Sequence, residues 1–370
     1  MSRRRKKRKQ RLYLSIGAVC LLVLLLGSGF VLAERNQTQR SQAIVHNDTP
    51  ITFDNSKNVY DKMKDKDVIR YLIIGDSIGQ SDGAAVDSKW FNQLSLKLQT
   101  NHEIIAFPYR VTTPGATVFN GWYDFNARVV EDRIDLVFIV FGQNDQGSMS
   151  EEQYGAVYEK LIRDINQKYP QAEILPLIES SIKTDKFPNV IFKLAKHYGM
   201  TVIDTRVAFK NSNKPYDSLT NDGVHPNNEG YTYYANQIYK TITSKQTVTI
   251  NTEKDPLYSE SVHYNKPTAI AATTLEEFKS KKQKEVKITF TGKLVGLSVN
   301  KNESGGKFKV FLDGKLIREL SSYNKFPVNH KMLLADNLTE GEHTLVIQPS
   351  EDPVKSSKII DIKGIIVSES

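Results

Sequence analysis

VIRYLIIGDSIGQSDG, residues 68–83, decides the fold. An apolar, largely β-branched run stops at Gly75-Asp76-Ser77, and glycine returns at position 79. A short continuous apolar run fits a strand buried on both faces of a parallel sheet. Three kinds of loop could follow it: a phosphate cradle, an ordinary turn, or a display for a nucleophile. There is no Gly-x-Gly-x-x-Gly and no Gly-Lys-Ser/Thr, so dinucleotide or triphosphate binding is poorly supported. Asp and Ser also favour plain turns, so the tripeptide alone leaves turn and nucleophile open.

The same grammar continues downstream. Apolar runs at 103–107, 134–141, 173–179 and 201–204 alternate with amphipathic helical patterns. The clearest helix places Tyr154, Val157, Tyr158, Leu161, Ile162 and Ile165 on one face, behind a Ser150/Gln153 capping box. A second runs from Pro188 to Tyr198 and stops at Gly199, and a third carries Tyr231, Tyr234, Ala235, Ile238 and Ile242. Five strands separated by helices predict an α/β fold, a five-stranded parallel sheet covered on both faces over residues 67–245. Ligand sites in such sheets lie at the C-terminal strand ends, where Ser77 falls.

Beyond residue 280 the pattern changes to short strand-like runs separated by Gly305-Gly306, Asp313-Gly314 and Glu340-Gly341. Residues 281–370 therefore read as a separate antiparallel β-sandwich, with 246–280 as connection. At the other end, residues 1–11 hold eight Lys and Arg, which matches the whole net charge of +8. The remainder is near neutral, which argues against nucleic acid as a partner. Residues 12–33 contain no charge in 22 positions, enough for a helix to cross a bilayer core of about 30 Å. The expectation is a membrane anchor with the basic block cytoplasmic, a polar stem over 34–66, and the body outside the cytoplasm. Cleavage after Ala33 is the competing reading, and it exports the body equally. The single cysteine, Cys20, lies in the apolar run, so the exported part has no thiol chemistry.

Three later loops meet Ser77 on the same sheet edge. They hold Gly115 in VTTPGATV, Asn144 and Asp145 in FGQNDQG, and Asp222 with His225 in NDGVHPNNEGY. A serine hydroxyl needs a base to become a useful nucleophile. Of the seven histidines, His225 alone has a carboxylate three residues before it in a loop at the strand ends. Asp222 can fix its tautomer, while the Ser77 and Gly115 amides and the Asn144 side chain can receive a developing oxyanion. As rival readings, Asn144 and Asp145 could terminate a strand, and Asp222 with His225 could form a capped turn. No His-x-His, His-Glu-x-x-His or exported cysteine cluster is present, so neither a metal nor a cofactor is expected.

In this order, Gly75-Asp76-Ser77, Gly115, Gly142-x-Asn144-Asp145 and Asp222-x-x-His225-Pro226 resemble the SGNH, or GDSL-type, hydrolases over about residues 68–245. The resemblance implies a three-layer, flavodoxin-like α/β/α fold and ester hydrolysis or acyl transfer. It assigns Ser77 as nucleophile, His225 as base, Asp222 as its partner, and Ser77, Gly115 and Asn144 as oxyanion donors. Gly115 is the soft match, since a neighbouring loop residue could serve. The C-terminal part loosely resembles jelly-roll modules that often bind carbohydrate; a spacer or docking role is equally open. The expected substrate is an O-acylated, in first place O-acetylated, cell-surface glycan. Trp122 and Tyr123 either stack on a sugar or belong to the core. Two alternatives stand beside the esterase: an O-acetyltransferase with an acyl-delivering membrane partner, and a non-catalytic glycan-binding or assembly protein.

Overall fold

The computed structural model describes residues 57–350 and 359–368, apart from positions 129, 132, 249, 266 and 272–284. The basic block, the apolar run 12–33 and the stem up to residue 56 lie outside the described residues. The folded body starts earlier than the expected stem allows. Helix α1 (Val59–Asp65) is capped by the Asn58 side chain and buries Val59, Tyr60 and Lys62. Lys62 reaches Asp135 at 2.7 Å, both side chains being almost fully buried. Seven residues with four charges show no periodicity, so the helix is held by this tertiary contact rather than by propensity.

The α/β part is a five-stranded parallel sheet in the order β2-β1-β3-β4-β5. The strands are β1 (Ile69–Gly75), β2 (Ala106–Thr112), β3 (Leu136–Val140), β4 (Glu173–Ile178) and β5 (Ile203–Asp204). Four strands lie close to the apolar runs of the sequence. The second is displaced: the run at 103–107 gives way to 106–112, because Glu103 closes the preceding helix α2 (Trp90–His102) in a left-handed conformation. As an edge strand β2 tolerates Pro108 and exposes Phe107, so it lacks the continuous burial expected of an inner strand.

Helices α3 (Val118–Ala127), α4 (Glu151–Lys168) and α5 (Lys186–Tyr198) cover one face of the sheet. Helices α1, α2 and α7 (Asn228–Ser244) cover the other, with the short α6 (Thr205–Lys210) contributing Phe209. Both expected terminal signals are present: the Ser150/Gln153 capping box opens α4, and Gly199 ends α5 at φ 76°. The result is a three-layer α/β/α arrangement. Among the described residues no helix is long and apolar enough to cross a membrane.

The C-terminal part consists of two four-stranded antiparallel sheets, β10-β9-β12-β7 and β11-β8-β13-β6. Its strands in chain order are β6 (Pro267–Ala271), β7 (Val286–Thr291), β8 (Val295–Lys301), β9 (Lys307–Leu312), β10 (Lys315–Ser321), β11 (Val328–Ala335), β12 (Glu342–Pro349) and β13 (Asp361–Ser368). Strand β6 falls in the segment expected to be connection, where it pairs along β13. The sandwich is also not a separate body. Leu294, Leu333 and Ile366 join one buried cluster with Phe119, Trp122 and the helices beside the sheet. Burial of side chains of this size contributes about 1.5–3 kcal/mol each, so docking is comparable with the whole stability of a typical domain. Trp122 is fully buried there, and its indole N–H donates to Asp164 at 3.0 Å, so it is a core residue and presents no face to a sugar.

Candidate active site

Ser77 sits in the first turn after β1, where the chain reverses tightly. A Cβ on Gly75 would lie 3.0 Å from the Val140 carbonyl oxygen and 3.3 Å from Gly79 Cα, which explains glycine on both sides of the serine. Asp76 points inward, and its Oδ1 accepts the Ile78 amide at 2.8 Å, which turns the backbone so that Ser77 faces the strand ends.

His225 Nε2 lies 2.9 Å from Ser77 Oγ, and His225 Nδ1 lies 2.8 Å from Asp222 Oδ2. Asp222 Oδ1 also accepts the amides of His225 (2.8 Å) and Val224 (3.0 Å). These backbone donors, followed by the imidazole, hold the Asp222 carboxyl at about 2, so it is charged throughout the neutral range. The loop that carries the pair is clamped at both ends. Asn221 donates its backbone N–H to His225 O and its side-chain amide to Gly83 O, and Asn227 caps α7 through Glu229 and Gly230. Such a chain of hydroxyl, imidazole and carboxylate can move the serine proton to Nε2 while Nδ1–H stays with the carboxylate.

The expected oxyanion donors also converge here. Among the described residues, neither the Ser77 amide nor the Gly115 amide meets a protein acceptor. Gly115 takes φ +74°, a conformation that glycine adopts without strain. Asn144 is placed beside them, but its Nδ2 donates to Asp76 Oδ2 at 2.6 Å and to Ala116 O at 3.1 Å. An oxyanion would compete with one of these two acceptors for the amide.

Below the loop lie buried acids that the sequence motifs do not explain. Asp145 accepts the Val118 amide at 2.8 Å and so satisfies the start of α3, whose own Thr117 makes no side-chain cap. Burial pushes the Asp145 carboxyl up to about 8 and that of Asp76 up to about 6. Glu179, at the end of β4, accepts the Gln143 amide at 2.7 Å. Burial first, then the charge of Asp76, raises its carboxyl well above the usual range. Glu179 was missed because EILPLIE reads as a strand. The available signal was an acid ending an apolar run on the sheet edge that carries the site. Among the described residues no group of three or more His, Cys, Asp or Glu side chains is arranged to hold a metal ion.

A serine–histidine–aspartate chain at the C-terminal edge of an α/β/α sheet has the layout of a serine hydrolase. Residues 73–233 match the GDSL-like Lipase/Acylhydrolase family. That segment spans the α/β part that carries the site, and the chain is a carboxylic ester hydrolase. Among solved structures, a two-domain esterase active on acetylated mannans, co-crystallised with mannopentaose, is similar over 85% of this chain and 95% of its own. The TM-score is 0.67 at 15% identity, so the likeness is one of fold and includes the C-terminal part. An acetylxylan esterase from Geobacillus stearothermophilus is 20% identical over 48% of this chain and 96% of its own, with a TM-score of 0.41. A G-D-S-L family member from Veillonella parvula is 16% identical over 48% and 100%, also at 0.41. No curated protein matches the chain.

Proposed function

We propose that this protein removes O-acetyl groups from a polysaccharide outside the cytoplasm, through an acyl intermediate on Ser77. The observation that carries the reading is the unbroken contact chain from Ser77 Oγ through His225 to Asp222, at 2.9 and 2.8 Å. In the forward half-reaction Ser77 Oγ attacks the ester carbonyl as His225 Nε2 takes its proton. The carbonyl oxygen, now an anion, is received by the Ser77 and Gly115 amides. His225 then gives the proton to the departing sugar oxygen. Water repeats the cycle, leaving acetate and free Ser77.

Two features support a glycan over a long-chain lipid ester. A cavity of about 490 Å³, lined by Lys183, Asp204, Arg206 and Tyr216 together with the apolar Val207 and Phe209, offers polar and aromatic groups of the kind that suit a polyhydroxylated ligand. Tyr216 ties it to the catalytic loop, its hydroxyl donating to Gly223 O at 3.4 Å. The shared two-part fold of the acetylated-mannan esterase supports the same substrate class. The apolar run 12–33 behind a basic block supports a site held outside the cytoplasm.

Acetate release from O-acetylated polysaccharides by the full chain and its Ser77→Ala variant tests the reading. Release that depends on Ser77 is expected. Turnover retained in Ser77→Ala would overturn it. A Ser77-dependent burst that proceeds only when a sugar acceptor is added would replace hydrolysis with acetyl transfer.

A further inference from the structure

The β-sandwich touches the turn that carries Gly115 through His330. His330, on β11, is buried, and its Nε2 lies 2.8 Å from the carbonyl oxygen of Pro114, 216 residues earlier. Its ring also closes the space over the next residue: a Cβ on Gly115 would lie 2.9 Å from His330 Cε1. A carbonyl only accepts, so Nε2 carries the proton. Burial, reinforced by the positive charge of Lys301, lowers the imidazole to about 4, leaving the ring neutral with a single N–H committed to Pro114.

The neighbouring contacts continue the same seam. The Lys331 amide donates to Asn120 Oδ1 at 2.9 Å, and Lys331 Nζ reaches Asp124 Oδ1 at 2.8 Å. Asp124 Oδ2 in turn accepts from Thr113 Oγ1 at 3.2 Å. The turn 113–115 is thus held from the sandwich directly at the Pro114 carbonyl, while Thr113 is held by Asp124 of helix α3, which in turn pairs with Lys331.

We propose that His330 is a positioning residue for catalysis: it fixes the Pro114–Gly115 peptide so that the Gly115 amide points where the oxyanion forms. The sandwich is then a working part of the catalytic site rather than a detachable module. The inference rests on Gly115 acting as an oxyanion donor in the function proposed above. A peptide plane held at one end by its carbonyl cannot tilt without breaking that bond, and the Pro114 carbonyl belongs to the same peptide as the Gly115 N–H. A donor misplaced by about 1 Å can cost on the order of 10² in rate, while substrate affinity, set elsewhere, changes little.

The test measures burst and steady-state kinetics on p-nitrophenyl acetate with the full chain. His330→Leu fills the space without a donor, and His330→Gln places an N–H near the position of Nε2. Asp336→Ala loosens the seam elsewhere, where Asp336 accepts from Gln153 and Tyr264. The expectation is a fall of about 10–100-fold in acylation rate and kcat for His330→Leu with KM within about twofold. His330→Gln should recover most of the loss, and Asp336→Ala should lose less than about threefold. Should His330→Leu fail to fold, His330→Asn, whose amide falls short of Pro114, reads the same loss. Wild-type kinetics in His330→Leu overturn the proposal, as does an equal loss in Asp336→Ala, which would make the effect a general loosening. In both cases the hydrolase reading stands, because the wild type still turns over. Absence of any Ser77-dependent burst in the wild type overturns both.

Discussion

Replacing Asp222 by Asn changes one atom and should disable the base. In the wild type Oδ1 serves two backbone amides and Oδ2 takes the Nδ1 proton of His225 at 2.8 Å. Asn keeps the first role through its carbonyl, so the loop should hold its shape. Its amide, however, turns a donor toward Nδ1. The ring escapes the clash of two donors by moving its proton to Nε2, which then faces Ser77 Oγ as a donor and cannot accept. Restoring the working tautomer leaves two opposed N–H groups at a cost of about 2–3 kcal/mol. The lost charge on the imidazolium adds about 1 kcal/mol. An effective dielectric near 20 would give about 4 kcal/mol at 4 Å, but the Asp222 side chain is 55% exposed and largely screened. Together these predict a loss of about 10²–10³ in kcat with KM nearly unchanged. Steady-state hydrolysis of p-nitrophenyl acetate near neutral pH, with thermal melting as the control for folding, measures it. A variant that melts normally and loses less than about tenfold would refute Asp222 as the partner that orients His225.

Three further outcomes follow from the buried acids and the seam. Glu179→Gln should keep activity within about threefold, because burial holds the Glu179 carboxyl well above its usual range, the amide is the neutral isostere, and its oxygen can still accept the Gln143 N–H. Glu179→Leu leaves that amide unpaired and should lose about 1–3 kcal/mol of stability in urea titrations along with much of kcat; equal behaviour of the two variants would contradict this. Asp145 is pushed up to about 8, so the folded state keeps a proton that the unfolded carboxyl releases near its ordinary value of 3.8. Its contribution is therefore fully present below that value and is lost as pH rises toward about 8. Asp145→Asn, which still accepts the Val118 amide, should flatten the decline of Tm between about pH 5 and 8, and an unchanged slope would refute the assignment. Gly296→Val would place its side chain against the Phe119 ring, already 2.6 Å from a bare Cβ. It should lower stability by about 1–3 kcal/mol or more by forcing the sandwich off helix α3; unchanged stability would mean the seam yields freely.

Much of the site was legible because its signals are local. Asp222 and His225 are three residues apart, Ser77 follows a buried strand directly, and the inner strands β1, β3 and β4 are apolar on both faces. What escaped had no local signal. Strand β2 lies at an edge and buries only Ala106 and Val111 of its seven residues, so the apolar run before it was the stronger signal. Glu179 becomes meaningful only when β4 is laid beside β3, which puts its carboxyl under the Gln143 amide. His330 lies in the β module, and nothing in HKMLLA points to Pro114. That contact exists only because the sandwich shares a core with Phe119 and Trp122. Of the two readings open for Trp122, a sugar-stacking face or a place in the core, the structure bears out the core, because helical spacing turned the indole inward.

The central claim is that Ser77 carries the acyl group. Rapid mixing of the full chain with p-nitrophenyl acetate, acid quenching during the burst, and mass spectrometry of the digested protein locate that group directly. An acetylated peptide containing Ser77, formed at the rate of the burst and absent in Ser77→Ala, is the result expected. A burst with the label on another residue, or turnover with no covalent intermediate on any peptide under conditions that trap acyl-enzymes, would contradict it.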